Sequence, residues 1–163
     1  MPDTGARVAV LLSTHNGAEF LGAQLDSLVA QTCTDWRLHW RDDGSSDATA
    51  ALMQRFRHGP GRGRVVVHPP GRLGVTASYL ALLRAADAEF VAFADQDDVW
   101  LPDKLARGVR ALGAVPPGVP ALYCARQVLV DAGLRRLGLS FALRRRSRGL
   151  RLIRARPAGG GTR

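Results

Sequence analysis

Three carboxylates fall within four residues at Asp95, Asp97 and Asp98, directly after the apolar run Phe90 to Ala94. Like charges this close repel one another, and an apolar lead-in limits how far solvent relieves the repulsion. A cation is expected beside them. Oxygen donors with no His or Cys nearby favour a hard ion, Mg²⁺ or Mn²⁺, which keeps open positions for substrate phosphates. The cluster therefore suggests metal-assisted binding of a diphosphate; read without a ligand, it is an acidic, solvated turn that caps the next helix. A second polar stretch, Asp42-Asp43-Gly44-Ser45-Ser46-Asp47, begins with two carboxylates able to accept hydrogen bonds from a base N–H or a ribose hydroxyl. Its Ser45 to Asp47 portion reads as an Asx-type turn and helix cap. A third, Thr14-His15-Asn16, offers backbone and side-chain groups to a nucleotide, or is simply the turn after a strand.

Each stretch ends an element that would aim it. Val8 to Ser13 is a continuous apolar run with β-branched residues, a strand buried on both faces. Trp36 to Arg41 alternates Trp, Arg, Leu, His, Trp, Arg, the period of a strand with one face covered. Arg64 to His68 and Phe90 to Ala94 supply two more strands. Between them, Glu19 to Gln31 places Phe20, Leu21, Leu25, Leu28 and Val29 at helical spacing. Ala48 to Arg57, capped by Ser46 or Asp47, and Val75 to Ala86 read as further helices. Pro102 is suited to open a helix that runs to Leu112, and Ala121 to Val130 is apolar enough for one or two more strands. Alternating strands and helices call for a doubly wound α/β fold, a mostly parallel sheet with helices on both faces. Ligands in such folds bind beyond the carboxyl ends of the strands, so the three polar loops should converge on one rim. No GxGxxG follows the first strand and no GxxxxGK[ST] occurs, which weighs against dinucleotide oxidoreductases and P-loop kinases.

The segments VAVLLSTHNGAEFLGAQLDSL, WRDDGSSDAT and GRLGVTASYLALLRAADAEFVAFADQDDVWLPDKL, in this order and spacing, resemble the nucleotide-sugar-binding half of family 2 inverting glycosyltransferases. ADQDDVWLPDKL is most similar to rhamnosyltransferase-type members that build bacterial surface polysaccharides. The resemblance spans Val8 to Leu139 and implies a GT-A, Rossmann-like fold, a nucleoside diphosphate sugar donor and a saccharide or lipid-linked saccharide acceptor. It implies that Thr14, Asn16, Asp42 and Asp43 line the nucleotide site, with Asp43 the acid that contacts the base. Asp95 and Asp97 match the DxD pair for the ribose and the diphosphate-bound metal, with Asp98 beside them. Arg72 stands where the family often has Asn. Trp100 and Lys104 match the motif, although helix packing and a surface charge account for them. The family's catalytic base comes from an acidic motif well downstream; the only acid after Asp103 is Asp131, so no base is assigned.

The formal net charge of +9 belongs to one end of the chain. Residues 1–140 carry 15 basic and 14 acidic side chains, whereas 141–163 carry eight Arg and no acid. The nearly neutral body, 1–140, is read as an incomplete donor-binding domain without a nucleic-acid partner. The tail, 141–163, is read as a disordered or non-native terminus such as a truncated or frame-shifted product leaves. Its alternatives are a basic segment for an anionic membrane surface and a phosphate-binding tail for nucleic acid. Cys33 and Cys124 cannot make a disulfide framework, and no Cys/His spacing fits zinc. The apolar run near the N-terminus is too short for a secretory h-region or a spanning helix, so a cytoplasmic location is expected, at the inner face of the membrane if the tail binds there. Two functional classes follow: a metal-dependent inverting glycosyltransferase, and a non-catalytic fragment or subunit that only binds the nucleotide sugar.

Overall fold

The β-branched and leucine-rich run of β1 (Val8–Thr14) is buried on both faces because it is an inner strand of a four-stranded parallel sheet covered by helices on each side. A computed structural model describes residues 6–140 of the chain. β1 pairs with β2 (Trp36–Asp42) on one side and β4 (Phe90–Ala94) on the other, and β3 (Val65–Val67) adds beyond β2, giving the order β3-β2-β1-β4. The register sets Leu12 opposite both Trp40 and Ala94, and Thr14 opposite Asp42. β1 and β2 therefore stop together, two residues beyond β4, and their exit loops open on the same rim.

Alternation along the strands sorts the two faces. Val8, Val10, Leu12, Trp36, Leu38 and Trp40 form one face, covered by α1 (Ala18–Val29) through Leu21, Leu25 and Leu28 and by α2 (Thr49–His58) through Met53 and Phe56. Full burial of side chains of this size stabilises the fold by roughly 2 kcal/mol apiece. On the opposite face α3 (Val75–Ala85) packs Leu82 against Ala9 and Leu11. Helices on both faces of a parallel sheet match the expected doubly wound arrangement.

Several local expectations change. β2 is not covered on one face only: His39 and Arg41 are 8% and 4% exposed, as buried as its tryptophans. Their polar atoms are matched inside, His39 Nδ1 with His68 Nε2 at 3.1 Å and Arg41 with partners at the rim, so alternation in polarity did not signal alternation in exposure. Asp47 does satisfy a first-turn amide, that of Thr49 at 2.9 Å, but α2 begins one residue later than expected, with Ala48 at its N-cap. Pro102 lies in the turn before α4 (Lys104–Gly113) rather than in its first turn. β4 is an edge strand, which leaves Phe93 52% exposed.

Two compact units divide the chain, one ending at Val109 and one starting at Arg110. Within the second, β5 (Val128–Val130) and β6 (Arg136–Leu139) form an antiparallel hairpin, so the apolar stretch before Asp131 yields one strand rather than two. The Asp131 carboxylate builds its turn, accepting from the amides of Gly133 and Arg135, each at 2.9 Å. The Arg-rich tail read from the sequence lies outside the described residues.

Candidate active site

The three polar loops meet at the carboxyl end of the sheet, but their acids are used in two different ways. Asp42, 9% exposed, is spent inside the protein. Its Oδ1 accepts from the hydroxyls of Thr14 at 3.1 Å and Ser45 at 2.6 Å, and its Oδ2 from the amides of Gly44 and Ser45 at 3.2 and 2.9 Å. Thr14 is equally committed, its hydroxyl also accepting from Trp40 Nε1 at 3.0 Å. Neither side chain faces the rim's open surface. Both hold the ends of β1 and β2 together.

Asp43 anchors a second layer. Its Oδ1 accepts from Leu73 N at 2.6 Å, Ser78 Oγ at 3.1 Å and Arg41 Nη1 at 2.8 Å, and its Oδ2 from Gly74 N at 3.0 Å. Arg41 also donates to Ser78 Oγ and to the Gly71 carbonyl. The Leu73 amide first, with Arg41, Ser78 and Gly74, holds the Asp43 carboxyl at about 2, well below its ordinary value. An ionised carboxylate with four donors, one of them a buried guanidinium, fixes the 71–74 loop against β2. Oδ2, with Gly74 N as its donor, keeps a further lone pair, and the Asp43 side chain is 14% exposed. Gly44 takes φ +82°, and Arg72 lies over it, where a Cβ would meet Arg72 Cγ at 2.9 Å.

Asn16 and His15 are exposed on the rim. Asn16 adopts the left-handed region at φ 47°, which a short amide side chain tolerates, and its Oδ1 accepts from Ser46 N at 2.8 Å. His15 Nδ1 lies 3.2 Å from the Asp43 carbonyl, an acceptor, so this nitrogen carries the proton and Nε2 is left to face Asn16 Nδ2 at 3.5 Å.

The acids after β4 contrast with these. Asp95 and Asp97 are exposed, and Asp98 is half-buried. Asp95 Oδ1 lies 3.0 Å from the hydroxyl of Tyr79, whose proton also reaches the Ala94 carbonyl at 2.7 Å. Asp97 takes no hydrogen bond or ion pair from any described residue. Burial, reinforced by Asp95 and Asp97, pushes the Asp98 carboxyl up, while Lys104 opposes the rise. Lys104 places its ammonium 4.2 Å over the ring of Trp100, which is itself a core residue. No group of three His, Cys, Asp or Glu among the described residues forms a ready-made metal cage. A hard divalent ion carried by a diphosphate takes only one or two protein carboxylates, however, and exposed acids with open lone pairs fit that donor set.

Gln96 went unnoticed in the sequence, where it reads as a spacer between acids. Its Oε1 accepts from His15 N at 2.9 Å and its Nε2 donates to the His15 carbonyl at 3.1 Å, so it ties the acidic turn to the loop after β1. Tyr79 and Arg41 were missed too. Tyr79 meets Asp95 16 residues away, and Arg41, besides its near neighbour Asp43, reaches Ser78 37 residues away, contacts that no local spacing signals.

The family profile described as "Glycosyl transferase family 2" matches residues 9–158, and the chain belongs to that family. Protein CgeD of Bacillus subtilis is 28% identical over 134 residues, covering 77% of this chain and 30% of that protein. The dTDP-rhamnosyl transferase RfbG of Shigella flexneri is 27% identical over 105 residues, covering 62% and 36% respectively. Among solved structures, the mannosyltransferase PcManGT of Pyrobaculum calidifontis, in complex with GDP-Man and Mn²⁺, superposes with a TM-score of 0.67 at 26% identity, covering 77% of this chain and 37% of that one. The fold is that of the GT-A glycosyltransferases. The chain spans about a third of the length of the curated relatives it matches. No helix among the described residues is long and apolar enough to cross a membrane.

Proposed function

We propose that this chain is the donor-binding part of a metal-assisted inverting glycosyltransferase. It binds a nucleoside diphosphate sugar for transfer to a hydroxyl of a saccharide or lipid-linked saccharide in bacterial surface polysaccharide synthesis. The observation that carries the reading is the meeting, at one rim of a GT-A sheet, of exposed Asp95 and Asp97 with the exposed loop of His15 and Asn16. Rhamnose is the sugar we favour, in keeping with the resemblance of the ADQDDVWLPDKL segment and with RfbG among the relatives.

In this reading Asn16 and the open lone pair of Asp43 take the nucleoside, while Asp42 and Thr14 act beneath them by holding the strand ends in register. Asp95 and Asp97, with Asp98 adjoining, would hold Mg²⁺ or Mn²⁺ at the diphosphate. Bound there, such an ion stabilises the negative charge that develops on the leaving diphosphate as the glycosyl bond breaks. Tyr79 keeps the Asp95 carboxylate oriented toward the rim. Titration of UDP-, dTDP- and GDP-sugars into the full chain, with Mn²⁺ and with a chelator, tests the reading. Metal-dependent binding of at least one is expected, and binding of none, or binding indifferent to chelation, overturns it.

A second reading, a fragment or subunit that binds the donor without turning it over, is favoured by Asp131. The only acid downstream of Asp103 among the described residues is committed to a hairpin turn, which leaves no free carboxylate there to deprotonate an acceptor hydroxyl. Donor hydrolysis or transfer by the chain alone would rule for the enzyme, and binding without turnover for the fragment.

A further inference from the structure

Where β1 and β4 stop pairing, at Leu12 and Ala94, the ladder between them is taken up by a side chain. Gln96 sits in the turn closed by the amide of Asp98 on the carbonyl of Asp95 at 3.4 Å, and its carboxamide engages both backbone groups of His15, as a neighbouring strand would. Gly17 completes the fit. Its φ of −106° is open to any residue, so the backbone there does not require glycine. A Cβ would nevertheless lie 2.3 Å from Gln96 Oε1. A side chain at 17 would push the Gln96 carboxamide out of this position. From His15 the network continues to the Asp43 carbonyl, and from Asn16 to Ser45 and Ser46.

We propose that Gln96 is a positioning residue that fixes the acidic turn to the loop after β1, setting the spacing between the carboxylates that meet a diphosphate-bound metal and the loops that meet the nucleoside. The proposal rests on the donor-binding function above and deepens it. A single donor must satisfy both ends at once, so a tether between them lowers the ordering cost of the second contact after the first is made. Loss of the tether should weaken the cooperation between metal and nucleotide while leaving each loop's own contacts in place.

The experiment uses the full chain and its variants Gln96→Met, which matches length without the carboxamide, Gly17→Ala, and the double substitution. UDP and dTDP are each titrated with and without Mn²⁺, and the ratio of the metal-free Kd to the Kd with Mn²⁺ is the readout. Two ordinary hydrogen bonds lost should lower that ratio about tenfold in Gln96→Met, with the metal-free Kd held within roughly twofold. Gly17→Ala should lower it similarly, and the double variant should add little, because both changes remove one contact. Hydrogen exchange without ligand should show the His15 amide losing protection in both single variants. A merely structural role would lower the melting temperature and leave the ratio alone. Retention of the full ratio in Gln96→Met overturns the proposal, as does an additive double variant. If the unsubstituted chain shows no metal-dependent binding of either nucleotide while its His15 amide is protected, the donor-site reading fails and takes this role of Gln96 with it.

Discussion

The two acidic clusters of the rim are alike in sequence and opposite in structure. Asp42 and Asp43 accept from eight donors between them, including the Arg41 guanidinium, whereas Asp95 has one donor nearby and Asp97 none among the described residues. A carboxylate bonded mainly from within stabilises the fold. One left open to solvent does little for stability and keeps its lone pairs for something else. The contrast divides the labour: the loop after β2 builds the rim, and the loop after β4 leaves its carboxylates open, which is where the proposed metal would be held.

The sharpest way to break this comparison is to neutralise Asp43. Asp43→Asn leaves Arg41 buried without its counter-charge, and a broken buried pair costs about 3 kcal/mol, read as a lowered denaturation midpoint. The same carboxyl predicts the acid limb of stability. Its folded value of about 2 lies below its ordinary 3.8, so the unfolded chain binds the proton more readily. Its contribution is complete above about pH 4 and is lost as pH falls from there through 2. Denaturant melts across that window should show a steeper loss in the unsubstituted chain than in Asp43→Asn; equal slopes would mean that the carboxylate is not held as the geometry places it.

Thr14→Val gives a smaller effect of the same kind. The substitution keeps the shape but strips Trp40 Nε1 of its acceptor and Asp42 of a donor, a loss of roughly 1 to 2 kcal/mol. A change below about 0.3 kcal/mol would show that the buried hydroxyl is dispensable to the strand ends.

How much of this was legible follows from the range of the interactions. The strands and their order of polar loops were readable because burial on both faces, as in Val8–Thr14, writes a continuous apolar run that local inspection detects. The acids at the rim were readable because they follow those runs directly. What the acids do was not. Asp43 and Asp97 look alike as letters, and, Arg41 aside, it is the arrival of Leu73, Gly74 and Ser78, 30 to 35 residues onward, that separates them. His39 misled for the same reason: its partner, His68, lies 29 residues on, just past the end of β3, so a polar residue in alternation was read as facing solvent. Gln96 is the extreme case, with its partner 81 residues away.

The gentlest perturbation is the one that isolates function. Asp97 is exposed and contributes no bond to the described fold, so Asp97→Ala should change unfolding free energy by no more than about 0.5 kcal/mol, the range of ordinary surface substitutions. It should even ease the repulsion among three neighbouring carboxylates, since Asp97 helps push the Asp98 carboxyl up. The same variant should lose the Mn²⁺-dependent part of nucleotide binding, while Asp43→Asn, far less stable, should weaken nucleotide binding with and without metal. Calorimetric titration of the two variants beside their melts separates the roles. If Asp97→Ala destabilised the chain as much as Asp43→Asn does, the acids after β4 would belong to the scaffold, and the division between the two loops would be lost.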